Sequence, residues 1–246
     1  MDYLDRIVFT GFASCMLFAV PAVKATPTIV GTVQLDTESG VYPGMGGGEF
    51  TAYTSQNFVQ NYATAATYNG GFETFCLETG VDFNPGNTYN YSLGNVSQPL
   101  SGGGAGSGLA LTAGAAWLYQ QFATGGLQGF DYTYSDAADP NGRMNSDTLL
   151  QEAIWALQGG QSYTQGGYQT LSWVESNDQF YIDALANGGS NPYAGGPVEV
   201  LQLWDNSGNA AQNQLVLVPD GGETVALLGI GLMGVFLVQF RQRKLA

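Results

Sequence analysis

Apolar and polar residues alternate along six stretches of the chain, near 28–36 (TIVGTVQLD), 49–54, 72–78 (FETFCLE), 88–96 (TYNYSLGNV), 198–204 (VEVLQLW) and 214–218. A period of two, in segments rich in Val, Tyr, Phe and Thr, predicts β-strands with one face buried. Three other stretches carry a helical period. Over 109–122, Leu111, Ala115, Leu118 and Phe122 fall near one face, and over 148–158 an apolar stripe runs through Leu149, Leu150, Ala153, Ile154 and Leu157. The third helix is expected over 173–187, opened by the capping box Ser172-Trp173-Val174-Glu175. Strands come first, helices fall in the middle and strands return. That order predicts an α+β, β-rich domain: an antiparallel sheet or barrel with about three helices inserted mid-chain. Glycine clusters at 43–48 and 101–108 read as connections. The second (SGGGAGSG) lacks the Lys-Ser/Thr ending and the preceding strand of a phosphate loop.

Both ends differ from this pattern. Residues 7–22 (IVFTGFASCMLFAVPA) are apolar, and Val23-Lys24-Ala25 sets small residues at the −3 and −1 positions of a cleavage site. Residues 1–25 therefore read as a secretory signal peptide, and Cys15 leaves with it. At the other end an apolar run, 224–240, is followed by Arg241, Arg243 and Lys244. Seventeen residues reach the lower limit for a membrane span, so a transmembrane helix 224–240 with a cytoplasmic basic stop is expected. Val218-Pro219-Asp220-Gly221-Gly222 precedes it. The tripartite tail, 218–246, resembles the PEP-CTERM family of sorting signals in its VPDSG-like variant. Pro219, Asp220 and Gly222 match, and Gly221 stands in place of serine. The resemblance implies an exosortase-type processing enzyme as a partner and a Gram-negative, exopolysaccharide-producing setting. The implied route is export, transient anchoring by the C-terminal helix, then the cell surface or extracellular matrix.

What remains is one ectodomain, 26–217. Between Thr26 and Gly222 there are 17 acids and one base, Arg143, a net charge of −16 with no lysine. The acids are scattered singly, which predicts a solvated acidic surface and excludes the basic footprint that nucleic acid requires. With no histidine in the chain, Ser-His-Asp and Cys-His machinery is excluded. Two cysteines cannot make a four-cysteine metal site or a disulfide scaffold. Asp136, Asp139, Asn141 and Asp147 surround Pro140-Asn141-Gly142 and suit either a calcium loop or a plain turn. Their spacing is not that of an EF-hand, and neither a metal site nor a cofactor is assigned. Plentiful acids leave paired-carboxylate hydrolysis open, but no pair stands out.

Cys76 is the lone cysteine of the mature chain, and on its own it reads as a buried small apolar residue. Gln151 closes Thr148-Leu149-Leu150-Gln151, a T-x-x-Q capping box, and Trp117 and Trp155 read as core aromatics. Together these segments read differently. Phe75-Cys76-Leu77-Glu78 resembles the aromatic-Cys-aliphatic-acid motif of the thioester domain family of bacterial surface proteins. Gln151-Glu152-Ala153-Ile154-Trp155 resembles that family's Thr-Gln-x-Ala-aliphatic-Trp motif, with Leu150 in place of threonine, and 116–122 is similar to its central Trp-containing segment. The resemblance covers about 72–160. It implies an internal thioester between Cys76 and Gln151, joining a strand residue to one in a helix's first turn. Phe75, Trp117 and Trp155 would shield it from water. A thioester is an activated acyl group, open to an amine or hydroxyl on a surface partner or exopolysaccharide. That chemistry happens once, without turnover, so the chain is not read as an enzyme. The lysine-free ectodomain offers no ε-amine to compete for the acyl group, although compositional bias explains the same absence. The alternative is a non-covalent matrix or carbohydrate-binding structural protein with Cys76 merely buried.

Overall fold

The computed structural model describes residues 29–37, 48–55, 65–79, 82–94, 108–134, 142–159 and 168–218. The expected signal peptide lies outside these residues. So do Pro219, Asp220, Gly221 and Gly222 of the sorting motif, the 224–240 helix and its basic stop at Arg241, Arg243 and Lys244. Among the described residues no helix is long and apolar enough to cross a membrane.

Seven antiparallel strands form one sheet: β1 (Gly31–Asp36), β2 (Phe50–Thr54), β3 (Thr67–Tyr68), β4 (Gly71–Thr74), β5 (Thr88–Gly94), β6 (Val198–Trp204) and β7 (Ala210–Leu217). Their order is β3-β4-β2-β1-β5-β6-β7. The sheet twists far enough for its ends to meet. Beyond β4, Leu77 N–H donates to Asn213 O at 3.0 Å, and Leu215 N–H donates to Phe75 O at 3.1 Å. Thr74 Oγ1 adds a bond to Leu215 O at 2.5 Å. The seam where β4's extension meets β7 is thus closed by backbone pairing, and Cys76 lies in it.

Among the described residues, four helices occupy the middle of the chain: α1 (Ala113–Ala123), α2 (Arg143–Leu157), α3 (Leu171–Asn177) and α4 (Gln179–Ala186). The α+β architecture agrees with the sequence reading, and the helices differ from it in three ways. The third predicted helix is two, because Asp178 is extended (φ −77°, ψ 115°), ending α3 and capping α4 with its carboxylate on Phe180 N–H. Thr170, not Ser172, caps α3. Helix α2 begins at Arg143, five residues before the predicted start. The β3–β4 hairpin turns on Asn69-Gly70, both at positive φ (48° and 84°), the pair suited to a type I′ turn.

The main core lies between the sheet and the helices, with Tyr91, Phe72, Phe75, Tyr119, Phe122 and Ile154 fully buried. Tyr119 of α1 donates its hydroxyl to Glu73 O at 2.9 Å, tying that helix to β4. The expected solvated acidic surface needs correction. Glu49, Glu73, Glu78, Asp147, Glu152 and Asp178 are all buried. Each sits where backbone amides, Arg143 or polar side chains face it, and sequence spacing does not reveal such partners.

Candidate functional site

The seam dictates the surroundings of Cys76. Successive side chains of an extended segment point to opposite faces, and successive backbone groups to opposite edges. Phe75 therefore enters the main core, where its ring meets Phe122 edge-on at 5.0 Å. Cys76 points the other way, into a second apolar cluster with Phe50 and Trp155, flanked by half-buried Phe83 and Tyr168. The backbone of Phe75 and Leu77 is spent on β7, so Cys76 and Gln214 face each other as a non-hydrogen-bonded antiparallel pair. Side chains are closest in such pairs. Gln214 accordingly donates Nε2–H to Cys76 Sγ at 3.4 Å.

The remaining edge of Cys76 carries its own N–H and C=O, and Gln151 takes both. Cys76 N–H donates to Gln151 Oε1 at 2.8 Å, and Gln151 Nε2 donates to Cys76 O at 2.8 Å. Only one orientation of the carboxamide satisfies both bonds, since the flipped group would set donor against donor and acceptor against acceptor. Gln151 is fully buried and is the ninth residue of α2, not part of its first turn. The capping-box reading fails with it: Thr148 donates back to Met144 O within the helix at 3.0 Å, and Gly142 occupies the N-cap. Trp155 follows Gln151 by four residues, on the same helix face, and packs beside Cys76 and Tyr168. Trp117 packs against the main core with Phe75's neighbours. Of the three expected shielding aromatics, only Trp155 belongs to the thiol cluster. Phe50, Phe83 and Tyr168 complete it.

Buried polar groups hold α2 in register. Arg143, the single base of the ectodomain, forms a bidentate pair with Glu49 through Nε and Nη2. Its guanidinium lies 3.8 Å from the Tyr134 ring centroid and 5.3 Å from that of Phe130. Glu49 precedes Phe50 of the thiol cluster, so the ion pair pins α2 to the strand that walls the sulfur. Asp147 is buried beside the same pair. Burial, and then the charge of Glu49, push its carboxyl well above the ordinary range. Asp136, Asp139 and Asn141 lie outside the described residues, among which no group of three acidic, histidine or cysteine side chains suits a metal.

The sequence reading gives residues 212–214 no site role, although Gln214 opens the predicted strand 214–218. Gln212, Asn213 and Gln214 are all buried on β7. Glu78 accepts from Asn213 N (3.1 Å) and Asn213 Nδ2 (2.6 Å), and Gln212 Nε2 donates to Glu78 O at 2.8 Å. The acid three positions after Phe75 thus braces the strand that carries Gln214. Three consecutive amide side chains ahead of an apolar run break strand alternation, and that was the available signal.

The electrostatics of the sulfur follow from this geometry. Burial pushes the Cys76 thiol up, and the charges of Glu78 and Asp82 push the same way, while the Gln214 donor opposes them. The sulfur is therefore a neutral thiol in an apolar pocket. The neighbouring carboxamide oxygen is polarised by a backbone N–H, the arrangement that stabilises negative charge developing on an acyl oxygen. No family model matches the chain, and no curated protein and no solved structure matches it at a significant level.

Proposed function

We propose that Cys76 and Gln151 condense into an internal thioester and that the ectodomain uses it to bond covalently to a surface partner. The observation that carries this reading is the pair of 2.8 Å bonds between the Gln151 carboxamide and the backbone of Cys76. The sulfur attacks Cδ of Gln151, and the charge that develops on Oε1 is met by the Cys76 N–H. The thiol proton passes to Nε2, the C–N bond breaks and ammonia leaves. An amine or hydroxyl of the partner then displaces the sulfur, forming an amide or ester and returning the thiol. Burial disfavours the thiolate, so Gln214 is the positioning residue that lowers the cost of charge on sulfur. The chain acts once and does not turn over.

Export through the N-terminal signal, anchoring by the 224–240 helix and processing by an exosortase-type enzyme at the PEP-CTERM-like tail would deliver the ectodomain to the cell surface or matrix. Val218, the first residue of that motif, is buried and donates its N–H to Pro197 O at 2.6 Å, so the folded unit extends to 218. Pulse-labelling of the secreted chain tests the route: processing should fail when Pro219 and Asp220 are both replaced by alanine, and unchanged processing counts against it.

The same contacts favour a second reading in one respect. A carboxamide satisfying the free edge of Cys76 is also a structural bracket, with an unreacted thiol beneath it. Intact mass separates the two, because only the thioester form has lost one ammonia.

A further inference from the structure

A cleft of about 420 Å3 opens beside the thiol cluster, bounded by residues 82–89 and by the turn between β6 and β7. Its volume falls within the range typical of small-ligand sites. Both walls are set without a ligand. On one side Asn84 N–H donates to the Tyr89 hydroxyl at 2.7 Å, and Gly86 N–H donates to Leu35 O at 2.7 Å. On the other, the Asp205 carboxylate accepts from Ser207 N (2.8 Å), Asn209 N (2.8 Å) and Asn209 Nδ2 (2.9 Å). Phe83 supplies an aromatic wall, its ring edge-on to Phe50 at 4.7 Å.

The lining decides what fits. Asp82 and Asp205 contribute negative charge and no base lines the cleft, so phosphate or uronate polymers are repelled. A largely polar rim suits neither a lipid nor an apolar peptide. Among the described residues, the exposed carboxamides of Asn84, Asn87 and Asn206 make no hydrogen bond to other protein groups. Each offers two donors and an acceptor. Adjacent sugar hydroxyls, which both give and take, complement such groups, and the face of a sugar ring complements Phe83. We propose that this cleft binds a neutral carbohydrate, held by the Asn84, Asn87 and Asn206 amides against Phe83. The binding needs no covalent step and does not use the Cys76 sulfur, although Phe83 belongs to both the cleft and the thiol cluster.

The test is titration of the full chain with neutral gluco-, galacto- and manno-trisaccharides, with trigalacturonate as the acidic counterpart. Side-chain amide resonances serve as the readout. At least one neutral trisaccharide should shift the Asn84, Asn87 and Asn206 amides, and trigalacturonate should not. Replacing Asn87 and Asn206 together by alanine should weaken binding about tenfold, the effect of losing one or two hydrogen bonds. Cys76→Ala should bind as the parent does. The inference is overturned if no neutral trisaccharide binds, if trigalacturonate binds equally, or if the double variant is unaffected. It is also overturned if Cys76→Ala abolishes binding, since capture would then be covalent and belong to the thioester.

Discussion

Gln151 spends both polar ends of its carboxamide on a single neighbour, and the cost of removing it follows. Gln151→Ala strands a buried N–H and a buried C=O on Cys76, each with no strand on that edge to replace the bond. The expected loss is about 2–4 kcal/mol, read from urea denaturation. Both losses are measured against chain that has not condensed, because the thioester form has already given up Nε2 and gained a covalent tie; there Cys76→Ala removes one small side chain and a single sulfur hydrogen bond, and should cost only about 1 kcal/mol. Equal losses for the two variants would mean that the carboxamide is not what braces the seam. Gln214→Leu preserves most of the packing volume but removes the donor to sulfur. It should reduce the fraction of chain that has lost ammonia while leaving secondary structure unchanged. At this scale the sequence is informative where motif residues speak for themselves, as Cys76 and Trp155 do. It is silent on Gln214, which comes from a strand 138 positions away.

Among the elements, strands are the most legible, because runs rich in Val, Tyr, Phe and Thr mark β1, β2, β4, β5 and β6, while the amides at 212–214 interrupt the alternation of β7. The β3–β4 hairpin carried its signal in Asn69-Gly70, but two-residue β3 is too short to show alternation. Helix α2 hid its start. Arg143-Met144-Asn145-Ser146-Asp147 reads as a polar turn, yet Arg143, Ser146 and Asp147 point inward because Glu49 and its surroundings receive them. That hidden first turn moves Gln151 from the helix's edge to its middle and frees its side chain for Cys76. The ion pair fixing this register should be costly to break from one side. Arg143→Ala leaves Glu49 buried and uncompensated, with an expected loss of about 3–5 kcal/mol in chemical denaturation. Pairing Arg143→Met with Glu49→Leu should recover much of it. No recovery would show that the two residues do not act as a pair.

For the whole molecule, an acidic chain with a single ectodomain base stores several carboxyls in its interior. Burial raises the carboxyls of Asp147, Glu152, Asp178 and Glu199, and Asp178 reaches about 7 from an ordinary 3.8. The sign is fixed by linkage. Above 3.8 the unfolded chain has released a proton that folded Asp178 still holds, so its contribution is complete below that pH and is lost as pH rises toward 7. Asp131 and Asp205, lowered by local hydrogen bonds, act in the opposite sense and lose their contribution only in stronger acid. The melting temperature should therefore be higher at pH 5 than at pH 8, and Asp178→Asn should flatten the difference. A protein more stable at pH 8 would contradict these carboxyl assignments. The charge pattern also bears on reactivity. The one base is buried against Glu49, and the ectodomain has no lysine, so no lysine ε-amine within it competes for an acyl group at Gln151.

The central claim is a covalent bond from the Cys76 sulfur to the Gln151 side chain, which already makes two hydrogen bonds to the Cys76 backbone, and the intact mass of the secreted ectodomain tests it most directly. The account predicts a mass lower than the sequence by one ammonia, restored to the full value by Cys76→Ala or Gln151→Ala after allowance for the substitution. A parent chain at full mass, with a titratable thiol at Cys76 once unfolded, would contradict it.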